Sequence, residues 1–132
     1  MNKLAQPVVT LDGPAGSGKS TTAKEVARRL GFRHLDSGGL YRALTLALLE
    51  EGIPPAQWAD LTDDDMNVLP VRVSSPGTEF VIEVAGRVVQ AELRGPRVTA
   101  HVAFLASLPA ARRRLLHLQH AAGEKGSLVA DG

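Results

Sequence analysis

The chain has 132 residues, 44% hydrophobic and 22% charged, with no cysteine and a formal net charge of +1. That length suits one domain with a real core. The composition excludes a disulfide framework, a cysteine-ligated metal and a strongly basic nucleic-acid binder. Met1 to Gln6 is short and polar, and nothing approaches a signal core or a membrane span, so a cytoplasmic protein with no membrane or nucleic-acid partner is expected. The first predicted element is a buried strand over Val8-Val9-Thr10-Leu11-Asp12, an apolar and β-branched run.

Gly13-Pro14-Ala15-Gly16-Ser17-Gly18-Lys19-Ser20 follows it and fits G-x-x-x-x-G-K-[ST], the phosphate-binding P-loop. Gly13, Gly16 and Gly18 lack a Cβ, so backbone N–H groups can turn toward phosphate oxygens. A helix beginning near Gly18 adds its positive end. Lys19 supplies a mobile charge for the β- and γ-phosphates, and the Ser20 hydroxyl suits Mg²⁺. The candidate ATP site runs from Gly13 to Thr21. A glycine-rich turn without a ligand would need neither the lysine nor the hydroxyl. Ala23, Val26, Ala27 and Leu30 form one apolar stripe on the helix that follows.

Gly31 should stop that helix, with Arg28 and Arg29 as favourable charges at its C-terminus. Phe32-Arg33-His34-Leu35-Asp36 reads as a second strand, parallel to the first across a helical crossover. Leu40, Leu44, Ala47 and Leu48 mark a second helix, ended by Gly52 and Pro54-Pro55. Asp36 to Gly39 therefore sits where a strand ends and a helix begins, the edge at which open α/β sheets bind ligands. Asp36 fits two roles there, N-cap of the helix or orienter of Mg²⁺-bound water.

Gln57 to Asn67 is polar and acidic and reads as a surface helix or loop, with Trp58 and Met66 as packing anchors. From Leu69 to Arg94 the period changes to two: Val71 and Val73, then Phe80, Ile82 and Val84, then Val88 and Val89. Ser74-Ser75-Pro76-Gly77 and Ala85-Gly86-Arg87 supply turns, giving a small antiparallel insert. Helix returns with Val98, Val102 and Leu105, then from Pro109 with Ala111, Leu115, Leu118 and Ala122 on one face and Gly123 at the end. Arg112-Arg113-Arg114 spans about 200° of that helix, so at least two of the three belong to a solvated face. His101, His117 and His120 show no zinc-ligand spacing. Ser127-Leu128-Val129-Ala130-Asp131-Gly132 reads as a third buried strand with a terminal Asp of the Walker-B kind, a Mg²⁺-organising carboxylate. A central parallel strand needs cover on both faces, so the chain is expected to be a fragment.

The expected fold is thus α/β: a P-loop NTPase core with a parallel sheet, helices on both faces and a small antiparallel β insert. Residues 1–68 form the first part of the core, 69–94 the insert, and 95–132 the remaining helices and third strand, with the C-terminal part of the core missing.

These residues resemble the bacterial cytidylate (CMP) kinases, a family of nucleoside monophosphate kinases, over the whole chain. Leu11 to Ser20 looks like the family's P-loop, and Leu35-Asp36-Ser37-Gly38-Gly39-Leu40-Tyr41-Arg42 resembles its LDSG-x-x-YR signature. The insert is similar to the family's CMP-binding meander, and Leu128 to Gly132 looks like the start of its ADGRD motif. The resemblance implies transfer of the ATP γ-phosphoryl group to CMP or dCMP, with Mg²⁺, by a monomer. It implies that Ser37 and Arg42 hold the acceptor's phosphate and that Arg112 helps hold the cytosine end. Lys19 and Arg42 become the catalytic candidates, and Ser20, Asp36 and Asp131 the metal-side candidates. The Arg and Asp that should follow Gly132, the arginine-bearing lid and the adenine-side strands are absent from these 132 residues.

Other functions remain in view. Another P-loop kinase, acting on shikimate or adenylate, is disfavoured by the Asp-Ser-Gly-x-x-Tyr-Arg stretch and the insert. A GTPase is disfavoured because Asp36-Ser37-Gly38-Gly39 comes too soon after the P-loop and no Asn-Lys-x-Asp base reader follows. A non-catalytic phosphate-binding fragment is the alternative from a different class.

Overall fold

In a computed structural model of the chain, residues 8–11, 19–75, 80–123 and 128–131 are described. The P-loop stretch 12–18, the turn residues Pro76 and Gly77, and Gly132 lie outside the described residues. Lys19, Ser20 and Asp131 are described by their backbone alone. The elements are β1 (Val8–Leu11), α1 (Lys19–Leu30), β2 (Arg33–Asp36), α2 (Ser37–Glu50), α3 (Asp63–Asn67), β3 (Val71–Ser74), β4 (Val81–Val84), β5 (Arg87–Val88), α4 (Pro96–Ala106), α5 (Pro109–Gly123) and β6 (Leu128–Asp131). Short 3₁₀ turns span Pro55–Asp60 and Ala91–Arg94.

The described strands form two sheets, in orders β1-β6-β2 and β3-β4-β5. In the first, β6 lies between its two neighbours and pairs parallel with both. Leu11, Asp131 and Asp36 stand side by side in register at one edge, the carboxyl ends of the strands. The second sheet is antiparallel throughout and separate, as the change of period implies. Its tight turn, Ala85-Gly86, has φ of 51° and 80°, both left-handed, as the two-residue hairpin connecting Val84 to Arg87 requires.

Helix α1 ends at Gly31, whose φ of 68° only glycine adopts without strain. Ala23 and Ala27 bury against β6, whereas Leu30, the last residue of the expected stripe, is 51% exposed. A twelve-residue helix is about 18 Å long and outruns the four-residue strands, about 13 Å, on which it packs.

Helix α2 begins at Ser37, three residues ahead of its apolar stripe, because Asp36 is at once the last strand residue and the N-cap. Leu40, Ala43, Leu44, Ala47 and Leu48 recur at helical spacing and are all buried. Around them gather Met66 of α3, Val71 of β3, Val84 of β4, Leu105 of α4 and Ala111, Leu115, Leu118 and Ala122 of α5. Trp58 joins the same cluster with its indole N–H donating to the Ile53 carbonyl at 2.9 Å, so the acidic segment is anchored from inside while its carboxylates face water. Thr62 and Asp65 close α3 with a reciprocal capping box. Pro96 and Pro109 open α4 and α5, where a missing N–H costs nothing.

Candidate functional site

The site is built where strands end. Asp36 closes β2 in extended conformation, and its carboxylate accepts from the Gly39 N–H at 3.0 Å, so the N-cap role is occupied. Gly39 is needed for space. A Cβ there would meet the Asp36 carboxylate at 3.2 Å and Ile82 of the antiparallel sheet at 3.0 Å. The first turn of α2 is therefore pressed between its own cap and the insert.

Beside that turn opens a cavity of about 1090 Å³, between α1, β2 and the start of α2 on one side and β4 and the 3₁₀ turn before α4 on the other. Among the described residues its lining carries Lys24, Arg28, Arg33, Arg42 and Arg94, against one carboxylate, Asp36. Phe80, Val81, Ile82, Val89 and Leu93 supply an apolar wall. A pocket that joins clustered cations to an apolar surface matches a ligand with an anionic end and a flat organic end.

Arg42 is held firmly within it. Nη1 donates to the Leu93 carbonyl at 2.9 Å and to the Thr99 hydroxyl at 3.1 Å. Nε and Nη2 have no protein partner among the described residues, which leaves that edge of the fork for a planar, bidentate anion contact. Arg33 donates from Nη1 to the Ser75 hydroxyl at 2.8 Å and lies over the Phe80 ring, 5.5 Å from its centroid, tying β2 to the insert.

The other candidate residues are distributed differently. Ser37 is fully buried and absent from the cavity lining, and its hydroxyl accepts from the Gln119 side-chain amide at 2.8 Å. Arg112 is exposed on α5 and is not in the lining, though its charge reaches Tyr41. Burial pushes the Tyr41 hydroxyl pKa above its ordinary value, an effect that Arg112 partly opposes. Arg113 forks onto Asp63 at 2.8 to 3.0 Å, and its guanidinium lowers the Asp63 carboxyl pKa. Arg114 is half-buried, donates to the Val71 carbonyl, and is lowered by burial from its ordinary value. On α1, Glu25 binds both Arg28 and Arg29, and the bond from Arg28 first, then Arg29, draws its carboxyl down to about 2. Gly13, Pro14, Ala15, Gly16, Ser17 and Gly18 fall outside the described residues, and Thr21 is exposed on the first turn of α1. No group of three His, Cys, Asp or Glu is placed to share a metal ion among the described residues. Among them, too, no helix is long and apolar enough to cross a membrane.

Lys24, Arg33 and Arg94 were not foreseeable as site residues. Each sits in an unremarkable local pattern, and only the packing of the insert against α2 brings them to one cavity.

Residues 9–132 match the family model described as cytidylate kinase, and the chain belongs to that family. It is 43% identical over 129 residues to a cytidylate kinase of Mycobacterium avium, covering 97% of this chain and 56% of that protein. It is 41% identical over 127 residues to one from Symbiobacterium thermophilum, covering 95% and 55%. With one from Corynebacterium efficiens it shares 39% over 118 residues, covering 89% and 51%. The chain spans about half the length of the curated relatives it matches.

Proposed function

We propose that the protein acts as a (d)CMP kinase: an acceptor phosphate oxygen attacks the γ-phosphorus of ATP, the bond to the ADP oxygen breaks, and CDP or dCDP forms. What carries this proposal is Arg42, anchored through one nitrogen at the edge of a cation-lined cavity with its remaining donors unspent among the described residues. Membership of the cytidylate kinase family supports it.

The finer architecture proposed is a P-loop NTPase core whose parallel sheet is covered by helices on both faces, divided as residues 1–68, 69–94 and 95–132. Arg42, with Arg94 nearby in the lining, receives the acceptor's phosphate. The apolar wall around Phe80 and Ile82 receives its flat end. Arg112 remains the candidate for the cytosine end. On the donor side, seven residues join the end of β1 to the start of α1, the arrangement a P-loop needs. Lys19 there neutralises the β- and γ-phosphates. Asp131 stands between Leu11 and Asp36 at the carboxyl edge, so Ser20 and Asp131 fit a hard cation that takes oxygen ligands, with Asp36 beside them. Mg²⁺ held there would supply positive charge that offsets the charge on the transferring group. A monomer working in the cytoplasm completes the proposal.

The test is a phosphoryl-transfer assay of the full-length protein across CMP, dCMP, UMP, AMP and shikimate. Preferred turnover of CMP or dCMP is expected. Preference for shikimate or AMP would replace the acceptor assigned here, and ATP binding without turnover of any of them would leave a phosphate-binding module.

A further inference from the structure

One buried polar contact lies outside the cavity yet touches the element that shapes it. Gln119 is 8% exposed on the inward face of α5, among Leu115, Leu118 and Ala122. An amide in such surroundings is costly unless its hydrogen bonds are met, and an aliphatic side chain of similar size would pack there without that demand. Its Nε2 donates to the Oγ of Ser37, which is 0% exposed, across 82 positions of sequence. Ser37 is the first residue of α2. Its neighbours Asp36, Gly38 and Gly39 line the cavity, and Arg42 follows little more than one turn later. Four residues after Gln119, α5 ends, and β6 follows with Asp131 at its tip.

We infer that Gln119 is a positioning residue for the acceptor: through the Ser37 hydroxyl it pins the first turn of α2 to α5. The bond takes one Ser37 lone pair into a dry interface, where neither partner has water to replace the other. Rotation of α2 about its start would swing the Arg42 fork away from the cavity, so the pin sets the angle at which the acceptor meets its cation. Its kinetic consequence rests on the kinase function proposed above; its structural consequence does not.

The experiment compares Gln119→Leu, Ser37→Ala and the double variant in the full-length protein. Each single variant is expected to raise the KM for CMP about five- to tenfold, the value of one hydrogen bond, with the KM for ATP within about twofold. The double variant should be no worse than the worse single, because both remove the same contact. A rise in CMP KM for Ser37→Ala but not for Gln119→Leu would overturn the pin and make Ser37 a direct ligand. Additive losses, or equal losses for CMP and ATP, would overturn it in favour of a general packing role. Hydrogen exchange at the amides of Gly38, Gly39 and Leu40 supplies a measurement independent of turnover. Faster exchange there in both variants supports the pin even if the wild-type protein phosphorylates no nucleotide, a result that would defeat the proposed activity alone. Unchanged exchange in both would overturn the pin.

Discussion

The two sides of the cavity are built by different means. On the side of α1 and the parallel sheet, the buried cluster among the described residues is small: Ala23, Ala27 and Val129, flanked by Val9, Val26 and Phe32. On the side of α2 it is large, drawing on α3, α4, α5, both longer antiparallel strands and Trp58. The proposed donor side is specified in the sequence by a short run of glycines, a lysine and a hydroxyl. Its chemistry needs backbone N–H groups at a helix start, which a local motif can supply. The proposed acceptor side is specified by packing. Its cations come from α1, β2, α2 and the 3₁₀ turn before α4, and they meet only because the large core sets these elements at fixed angles. Damage on the first side should therefore abolish chemistry and spare folding, and damage in the core of the second should do the reverse.

The largest expected effect sharpens that contrast. Lys19→Ala in the full-length protein should lower kcat by about 10²- to 10³-fold, the range for losing one charge-stabilising donor, with an unchanged thermal midpoint. Near-normal turnover would break the assignment of the donor side. The opposite case is Leu44→Ala. Leu44 is fully buried at the centre of the large cluster, and its truncation should lose about 2–5 kcal/mol in urea denaturation. Val26→Ala, half-buried beside the small cluster, should lose about 1 kcal/mol. Equal losses at the two positions would mean that the two sides share one core.

That division also explains how far the sequence was legible. The stop at Gly31, the stripe on α2, the antiparallel insert and the strand at Leu128 are set by local period or by residues with one conformational use, and each could be located before the structure. The register that puts Asp131 between Leu11 and Asp36 could be approached, because a parallel strand ending in Asp has few useful places. The cation set could not. Arg33 and Arg94 acquire their place from contacts many positions away, such as Arg33 with Ser75 and Phe80, and nothing local marks them. Gln119 was hidden for the same reason, as one polar position on a helix face otherwise read as apolar.

Arg42 tests the acceptor side directly. Arg42→Ala should raise the KM for CMP about 10- to 100-fold, the value of hydrogen bonds to a charged group, and leave that for ATP within about twofold. It should also release the Leu93 carbonyl and Thr99, so Arg42→Lys, which keeps the charge and loses the fork, separates anchoring from charge. Recovery of most CMP affinity by lysine would show that a point charge suffices. A smaller effect belongs to the insert. Ala85 holds φ of 51°, where a side chain with a Cβ is strained by about 1 kcal/mol. Ala85→Asn should therefore raise stability by about 0.5–1 kcal/mol, since asparagine is favoured in that turn. Loss of stability would mean that the turn is not of the left-handed type.

The smallest effect lies far from the cavity, where α3 meets α5. Arg113 forks onto Asp63 with bonds of 2.8 to 3.0 Å, and about half of each side chain is exposed. The guanidinium lowers the Asp63 carboxyl pKa through its hydrogen bonds first; burial opposes them, and the guanidinium's charge adds a smaller lowering effect. A carboxyl whose folded value lies below its unfolded value, about 3.9, releases its proton more readily in the folded state. The resulting stability is present at pH above the unfolded value and is lost as pH falls through the folded one. Arg113→Ala should therefore lower the thermal midpoint slightly at pH 7, and the gap to wild type should close as pH falls below about 4. Added salt at pH 7 should narrow the same gap, because water and ions screen an exposed pair. A gap that survives both acid and salt would assign the contribution of Arg113 to its aliphatic stem packing on α3 rather than to its charge.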